Sequence, residues 1–176
     1  MRVTPRKNIE LALRTLFELK KEYPQAALVV TGPLGPHNVD NIKYFEMLKK
    51  LREDLRLENS AYFLAELDDS FLPDEVIADF YRVADALLFP SREEGFGIPL
   101  IEAAFSHIPA FCADIPPLRE LGLDDVTYFS PDEKPNHVAN LIANYFKTSS
   151  ATQLSMRVRL NFRWEAIYRQ HIVPIL

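Results

Sequence analysis

The run Ser91-Arg-Glu-Glu-Gly-Phe-Gly-Ile-Pro-Leu-Ile-Glu102 constrains this chain more than any other stretch. An apolar segment at 86–89 leads into it and a helical apolar pattern leaves it, with Glu94 and Glu102 eight positions apart across a glycine turn. Such a run ends a parallel strand, opens a turn for a ligand and starts a helix beneath it, as α/β proteins do. Gly95 and Gly97 let the backbone turn sharply and bring its N–H groups close to a ligand. The helix that follows, with Pro99 suited to its first turn, points the positive end of its dipole at the same place, which suits a phosphate. A Gly-x-Gly turn before a helix can also be a tight connection and nothing more.

The rest of the chain alternates in the same way. Helical spacing of apolar residues covers 8–22, with Asn8 placed as the N-cap, then 41–55, 73–83, 98–106, 135–147 and 152–171, with a short helix at 117–121. Short apolar runs at 26–31, 61–65, 86–89, 109–112 and 127–129 read as strands. Alternation of this kind implies right-handed crossovers and a doubly wound, mostly parallel Rossmann-like sheet covered on both faces. Residues 1–176 form one domain on this reading, without repeats or low-complexity linkers. A doubly wound half normally opens on a strand, and only residues 1–4 stand where that strand should be. The expectation is a piece of something longer, with its first strand largely missing.

Composition narrows the function. A formal net charge of -5 argues against broad nucleic-acid binding, so basic residues that matter act locally. One cysteine, Cys112, rules out an internal disulfide framework and a multi-thiolate metal site, and reads as a small buried hydrophobe. No apolar run is long enough to span a bilayer, and the opening Met-Arg-Val-Thr-Pro-Arg-Lys is too polar for a signal peptide. A cytoplasmic location is expected, with a peripheral role at a membrane left open.

Glu102 stands among Ile98, Leu100, Ile101, Ala103, Ala104 and Phe105, where a carboxylate needs partners. It is either an acid favoured by the helix dipole or an acceptor for two hydroxyls, as on a ribose. Glu94 lies on the loop at the C-terminal edge of the sheet, where open α/β sheets bind ligands. Arg2, Arg6 and Lys7 could be solvated residues near a terminus. Their place at the top of the first strand argues otherwise, because first and fourth strands are neighbours across the switch point and their loops would face each other.

Arg2-x4-Lys7 followed by Asn8, and Glu94-Gly-Phe-Gly-x4-Glu102-Ala, together resemble the C-terminal domain of retaining nucleotide-sugar glycosyltransferases of the GT-B architecture, family 4 in particular. Pro90-Ser91, the stretch Ala113-Asp-Ile-Pro-Pro-Leu-Arg-Glu120 and Phe129-Ser-Pro-Asp132 agree, so the likeness covers essentially the whole chain. The resemblance implies that Arg2 and Lys7 bind the donor diphosphate and stabilise the leaving nucleotide diphosphate. Glu94 would hold hydroxyls of the transferred sugar, and the backbone of Gly95, Phe96 and Gly97 would approach the sugar and phosphates. Glu102 would hold the ribose hydroxyls, with the loop after Ala65 beside the base. It further implies transfer of a hexosyl group with retention to a hydroxyl acceptor, by front-face attack and with no obligatory metal or other cofactor. The adjacent pairs Asp68-Asp69 and Asp124-Asp125 read as loop charges, in keeping with the lack of an Asp-x-Asp triplet.

Two departures stand out. The family often has glycine after the motif helix, where this chain has Ser106-His107. The N-terminal Rossmann domain that would bind the acceptor is not in this sequence, so weak donor binding and no transfer are expected of the chain alone. The alternatives are a phosphorylase-like or epimerase-like enzyme of the same architecture, or a non-catalytic binding module in which Glu94 and Glu102 are structural. His37 reads as part of a turn, and His137 and His171 as helix-surface residues, with no metal-ligand spacing among the histidines. Phe162, Trp164 and Tyr168 read as packing residues, and the Lys49-Lys50, Arg52 and Arg56 cluster as a solvated helix face.

Overall fold

The structure is a computed structural model and describes residues 2–34, 39–67, 71–161 and 173. It comprises two compact units, 1–141 and 142–176.

In the first unit the elements run α1 (Ile9–Leu19), β1 (Leu28–Val30), α2 (Val39–Asp54), β2 (Ala61–Phe63), α3 (Asp74–Val83), β3 (Leu87–Phe89), α4 (Ile98–Phe105), β4 (Ala110–Ala113), α5 (Pro116–Gly122) and β5 (Thr127–Phe129). Every pairing is parallel, as strand–helix alternation requires. β1 lies on β2 with Val29 opposite Tyr62, and β4 lies between β3 and β5 with Phe111 opposite Leu88 and Thr127. Among the described residues of the N-terminal segment, Val3 makes a parallel bridge to Leu34, with its N–H donating to Pro33 O at 3.0 Å. Val3 is fully buried, and this bridge brings the next residues out at the C-terminal edge of β1.

One core gathers Ile9, Leu13 and Leu16 of α1, Phe45, Leu48 and Leu51 of α2, and Val30, Ala61 and Phe63 of the sheet. Phe45 meets Phe63 edge to face, with centroids 5.3 Å apart. Around β4, whose four residues are all buried, Phe89, Leu100, Ala103, Leu118 and Phe129 are also buried. The Cys112 thiol belongs to that layer, and burial pushes its pKa up to about 12.

Helix ends show where local patterns were read too simply. Asn8 occupies the N-cap position of α1 but its side chain caps nothing there, because it sits in the left-handed region at φ 54°. The Ile9 N–H donates instead to the Tyr44 hydroxyl at 3.0 Å, and that hydroxyl donates to the Glu10 carboxylate. A tyrosine from α2 thus satisfies a donor that the helix itself leaves unpaired. Arg52 corrects the solvated reading of its cluster. Its guanidinium bonds Glu66 through two 2.7 Å contacts and lies 5.0 Å from the Phe63 ring centroid.

α6 (Pro135–Thr148) crosses into the second unit, where α7 (Ser150–Asn161) follows. Ser149 caps α7, its hydroxyl accepting the Thr152 N–H at 3.4 Å. His37, Asp68, Asp69, Phe162, Trp164, Tyr168 and His171 lie outside the described residues. No helix among the described residues is long and apolar enough to cross a membrane.

Candidate active site

β3 ends at Phe89, and the chain passes through Pro90 and the buried Ser91 into the loop that opens α4. The two glycines of that loop differ. Gly97 has φ +99°, and a Cβ there would stand 2.7 Å from Leu118 Cδ2, so a larger residue would both strain the backbone and force the buried Leu118 side chain to shift. Gly95 has no positive φ, and a Cβ on it would meet nothing within 4 Å. Its small size is not demanded by the protein's own packing. Phe96 between them is 61% exposed, and Pro99 stands in the first turn of α4.

Against this loop lies the N-terminal segment. Residues Pro5–Lys7 make one 3-10 turn, and Arg6 O accepts the Arg92 N–H at 2.8 Å. Asn8, almost wholly buried, sends its amide N–H groups to Pro90 O at 3.1 Å and Pro131 O at 2.9 Å. Its left-handed backbone, which asparagine tolerates better than most residues, is what turns that amide away from α1 and toward the loop. Arg92 pairs with Asp132 on the far side.

Lys7 therefore meets Glu94. Its Nζ lies 2.5 Å from Glu94 Oε1, and the two side chains are 8% and 10% exposed. The Lys7 ammonium also lies 5.9 Å from the Phe89 ring centroid. A short charge-assisted contact between nearly desolvated groups neutralises both charges where neither could stand alone. Among the described residues, Ser91 Oγ and Thr4 Oγ1 are buried without a hydrogen-bond partner.

The other predicted residues take different partners. The Arg2 guanidinium lies 5.6 Å from the centroid of the Phe71 ring, which is 64% exposed ahead of α3. Glu102 is half-buried on α4, where its charge acts on the Tyr81 hydroxyl of α3. Burial first, and then the charge of Glu102, raise the Tyr81 pKa, so the phenol keeps its proton at neutral pH. The same hydroxyl lies 3.3 Å from Pro99 O. Sequence reasoning passes over Tyr81 and takes Asn8 for a helix cap, whereas its amide serves the loop. On α3 Tyr81 is one more aromatic at helical spacing, and nothing in sequence sets it apart.

His107 occupies the position where a glycine was expected. Its φ is 55°, and it closes α4 with the paired bonds His107 N–H to Ala104 O and Ile108 N–H to Ala103 O. This left-handed closure is the one glycine favours. His137 pairs with Glu133 at 3.3 Å.

Residues 1–161 match the sequence pattern of the family described as Glycosyl transferases group 1. The chain belongs to that family. This group 1 domain is 34% identical over 141 residues to the serotype-specific mannosyltransferase WbdA of Escherichia coli, covering 80% of the chain and 16% of WbdA. It is 37% identical over 91 residues to the O-antigen chain mannosyltransferase RfbU of Salmonella typhimurium, covering 52% of the chain and 24% of RfbU. The chain thus spans well under half the length of these relatives. Among solved structures, the C-terminal domain of the group 1 glycosyl transferase LpcC from Francisella tularensis superposes with a TM-score of 0.70 at 19% identity, covering 97% of this chain and 82% of that one. HepE of Anabaena in complex with UDP-glucose superposes with a TM-score of 0.70 at 24% identity, over 99% of this chain and 44% of HepE. The fold of this group 1 domain is the Rossmann-like α/β fold of a GT-B C-terminal half.

Proposed function

We propose that this chain is the donor-binding domain of a retaining, family-4-like glycosyltransferase, and that the sugar it handles is a mannosyl group. The observation that carries the reading is the Lys7–Glu94 pair, set at the C-terminal edge of a parallel sheet and beside the N-terminus of α4. A cation for the diphosphate, a carboxylate for sugar hydroxyls and free backbone N–H groups at a helix start are the groups a nucleotide diphosphate sugar needs. The open space at Gly95 lets the backbone approach that ligand. Mannose as the sugar is supported by similarity to WbdA and RfbU, both named as mannosyltransferases. A nucleotide diphosphate on the donor is supported by the fold shared with HepE, which was solved with UDP-glucose.

The bond between the anomeric carbon and the diphosphate oxygen breaks as the acceptor oxygen approaches from the same face. The acceptor's proton passes to the departing phosphate oxygen. Lys7, with Arg2 drawn from Phe71, stabilises the negative charge that grows on the leaving group, and such stabilisation counts most in a desolvated site. Glu94 holds the sugar hydroxyls with the oxygen that does not face Lys7, and Glu102 holds the ribose. Charge neutralisation is assigned to these two cations, with no metal required. The acceptor and its binding surface belong to the longer protein.

Calorimetric titration with UDP, GDP, ADP and their sugar conjugates tests the proposal. One diphosphate should bind selectively and Glu102→Gln should weaken it with the fold intact. Affinity unchanged by Glu102→Gln would remove the ribose role.

A further inference from the structure

A lysine side chain is long and flexible, so where its ammonium comes to rest depends on how firmly its backbone is held. Lys7 ends the 3-10 turn Pro5–Lys7, and Asn8 follows it. The Asn8 N–H closes that turn on Pro5 O at 3.1 Å, and Asn8 O accepts the Leu11 N–H at 3.1 Å, so one residue joins the turn to α1. Its φ of 54° suits glycine best, and a side chain there carries a cost. The amide offsets it. Asn8 is 1% exposed, and its amide donates to Pro90 O at 3.1 Å and Pro131 O at 2.9 Å, which occupies both N–H groups. Both acceptors belong to prolines, whose rings fix φ and stiffen the chain at the anchoring points. Pro90 opens the loop that carries Glu94, so Asn8 holds the roots of both partners in the Lys7–Glu94 pair.

Two further contacts close the frame. Arg6 O accepts the Arg92 N–H at 2.8 Å, and the Arg92 side chain pairs with Asp132. Each of the segments 6–8, 90–92 and 131–132 is thereby bonded to the other two. The Arg92–Asp132 pair is open to solvent and contributes little, which leaves the buried amide as the firmer tie.

We infer that Asn8 is a positioning residue for diphosphate recognition, its amide holding Lys7 against Glu94 at the place where the leaving group gathers charge. The inference rests on the diphosphate role proposed for Lys7. Asn8 is too deeply buried to meet a donor itself. Its effect on binding therefore passes through Lys7 and follows the phosphates, not the nucleoside, a signature that general packing does not have.

Asn8→Gly removes the amide and leaves a residue at ease with a positive φ, so the turn survives. The chain and this variant are titrated calorimetrically with UDP, GDP, ADP and the corresponding nucleosides, alongside thermal unfolding. NMR of isotope-labelled lysine ammonium groups, with Lys7 assigned from Lys7→Arg, reads the ion pair without any ligand. Wild type should show a slowly exchanging Lys7 ammonium, and Asn8→Gly should lose that protection while still unfolding in one cooperative transition. Diphosphate affinity should fall about tenfold, the size of one charge-assisted hydrogen bond, with nucleoside affinity nearly unchanged. Asn8→Asp keeps the shape but offers no donor when ionised. It should show the same selective loss, partly recovered relative to wild type as pH falls and its carboxyl gains a proton to donate, and it decides the matter should Asn8→Gly not fold. Equal losses for diphosphate and nucleoside, no loss for either, or an unchanged Lys7 signal would overturn the assignment. A wild-type chain that binds no diphosphate, or binds diphosphate and nucleoside alike, overturns the diphosphate role of Lys7 and this inference with it. That failure is distinct from one of Asn8 alone, which the ammonium signal reports by itself.

Discussion

Lys7 Nζ and Glu94 Oε1 lie 2.5 Å apart although 87 positions separate them in the chain. Both side chains are almost wholly out of solvent, so each is the other's counter-ion. Removing one leaves a buried, uncompensated charge. Lys7→Met or Glu94→Leu alone should cost about 3 kcal/mol of stability, whereas the double substitution should recover most of that loss. Urea unfolding of the three variants measures it, and two additive losses would show that the pair is not coupled. Donor binding should be lost in the double variant even though its stability returns.

Gly95 and Gly97 should separate by phenotype. Gly97→Ala places a methyl at φ +99° and 2.7 Å from Leu118, and should destabilise the domain by about 3 kcal/mol. Gly95→Ala has open space and no positive φ, so its unfolding midpoint should stay near wild type. Its effect should fall on donor affinity, seen by calorimetry. A Gly95→Ala variant that binds normally would show that the donor does not approach there.

His107 holds a left-handed conformation for which a side chain is a burden. His107→Gly should raise stability by about 1 kcal/mol, the excess of the left-handed cost over the entropy glycine loses on folding. The ring is exposed, so little packing is sacrificed. A lower thermal midpoint for the variant would mean that the imidazole contributes more than its backbone costs.

The Arg52 guanidinium, bonded twice to Glu66, holds that carboxyl below the usual carboxylate range. A depressed folded pKa contributes stability above the unfolded value, about 4.3, which is lost as pH falls through the lower folded value. Glu66→Gln should therefore cost about 1 kcal/mol at neutral pH, with the gap closing as pH falls through the lowered folded value. Unfolding free energies across that range check it, and a gap independent of pH would assign the loss to packing.

Much of the fold was legible residue by residue. The short apolar runs at 26–31 and 109–112 hold β1 and β4, of which β4 is wholly buried while β1 buries Val30 and leaves Val29 exposed, and the intervening 3.6-residue periods are helices. The spacing of Glu94, Gly97 and Glu102 marked a strand–turn–helix, which is where it stands. Less legible were features whose meaning depends on a distant partner. Asn8 has the sequence pattern of an N-cap, yet its amide serves Pro90 and Pro131, more than eighty positions away. Arg52 reads as one of several surface cations until β2 and Glu66 fold beside it. Gly95 and Gly97 are identical letters, and only the fold distinguishes them, through the positive φ of Gly97 and the approach of Leu118.

By itself, then, the sequence determined the order and type of the elements and the turn at which a ligand could meet them. Hydrophobic periodicity and turn chemistry act over a few residues and survive being read in one dimension. Tertiary structure alone decided which charges neutralise one another, that Lys7 bonds Glu94 while Arg2 rests on Phe71, and that the Asn8 amide serves Pro90 and Pro131. Those pairings act through space over a few ångströms, and only the packing of segments distant in the chain sets such distances.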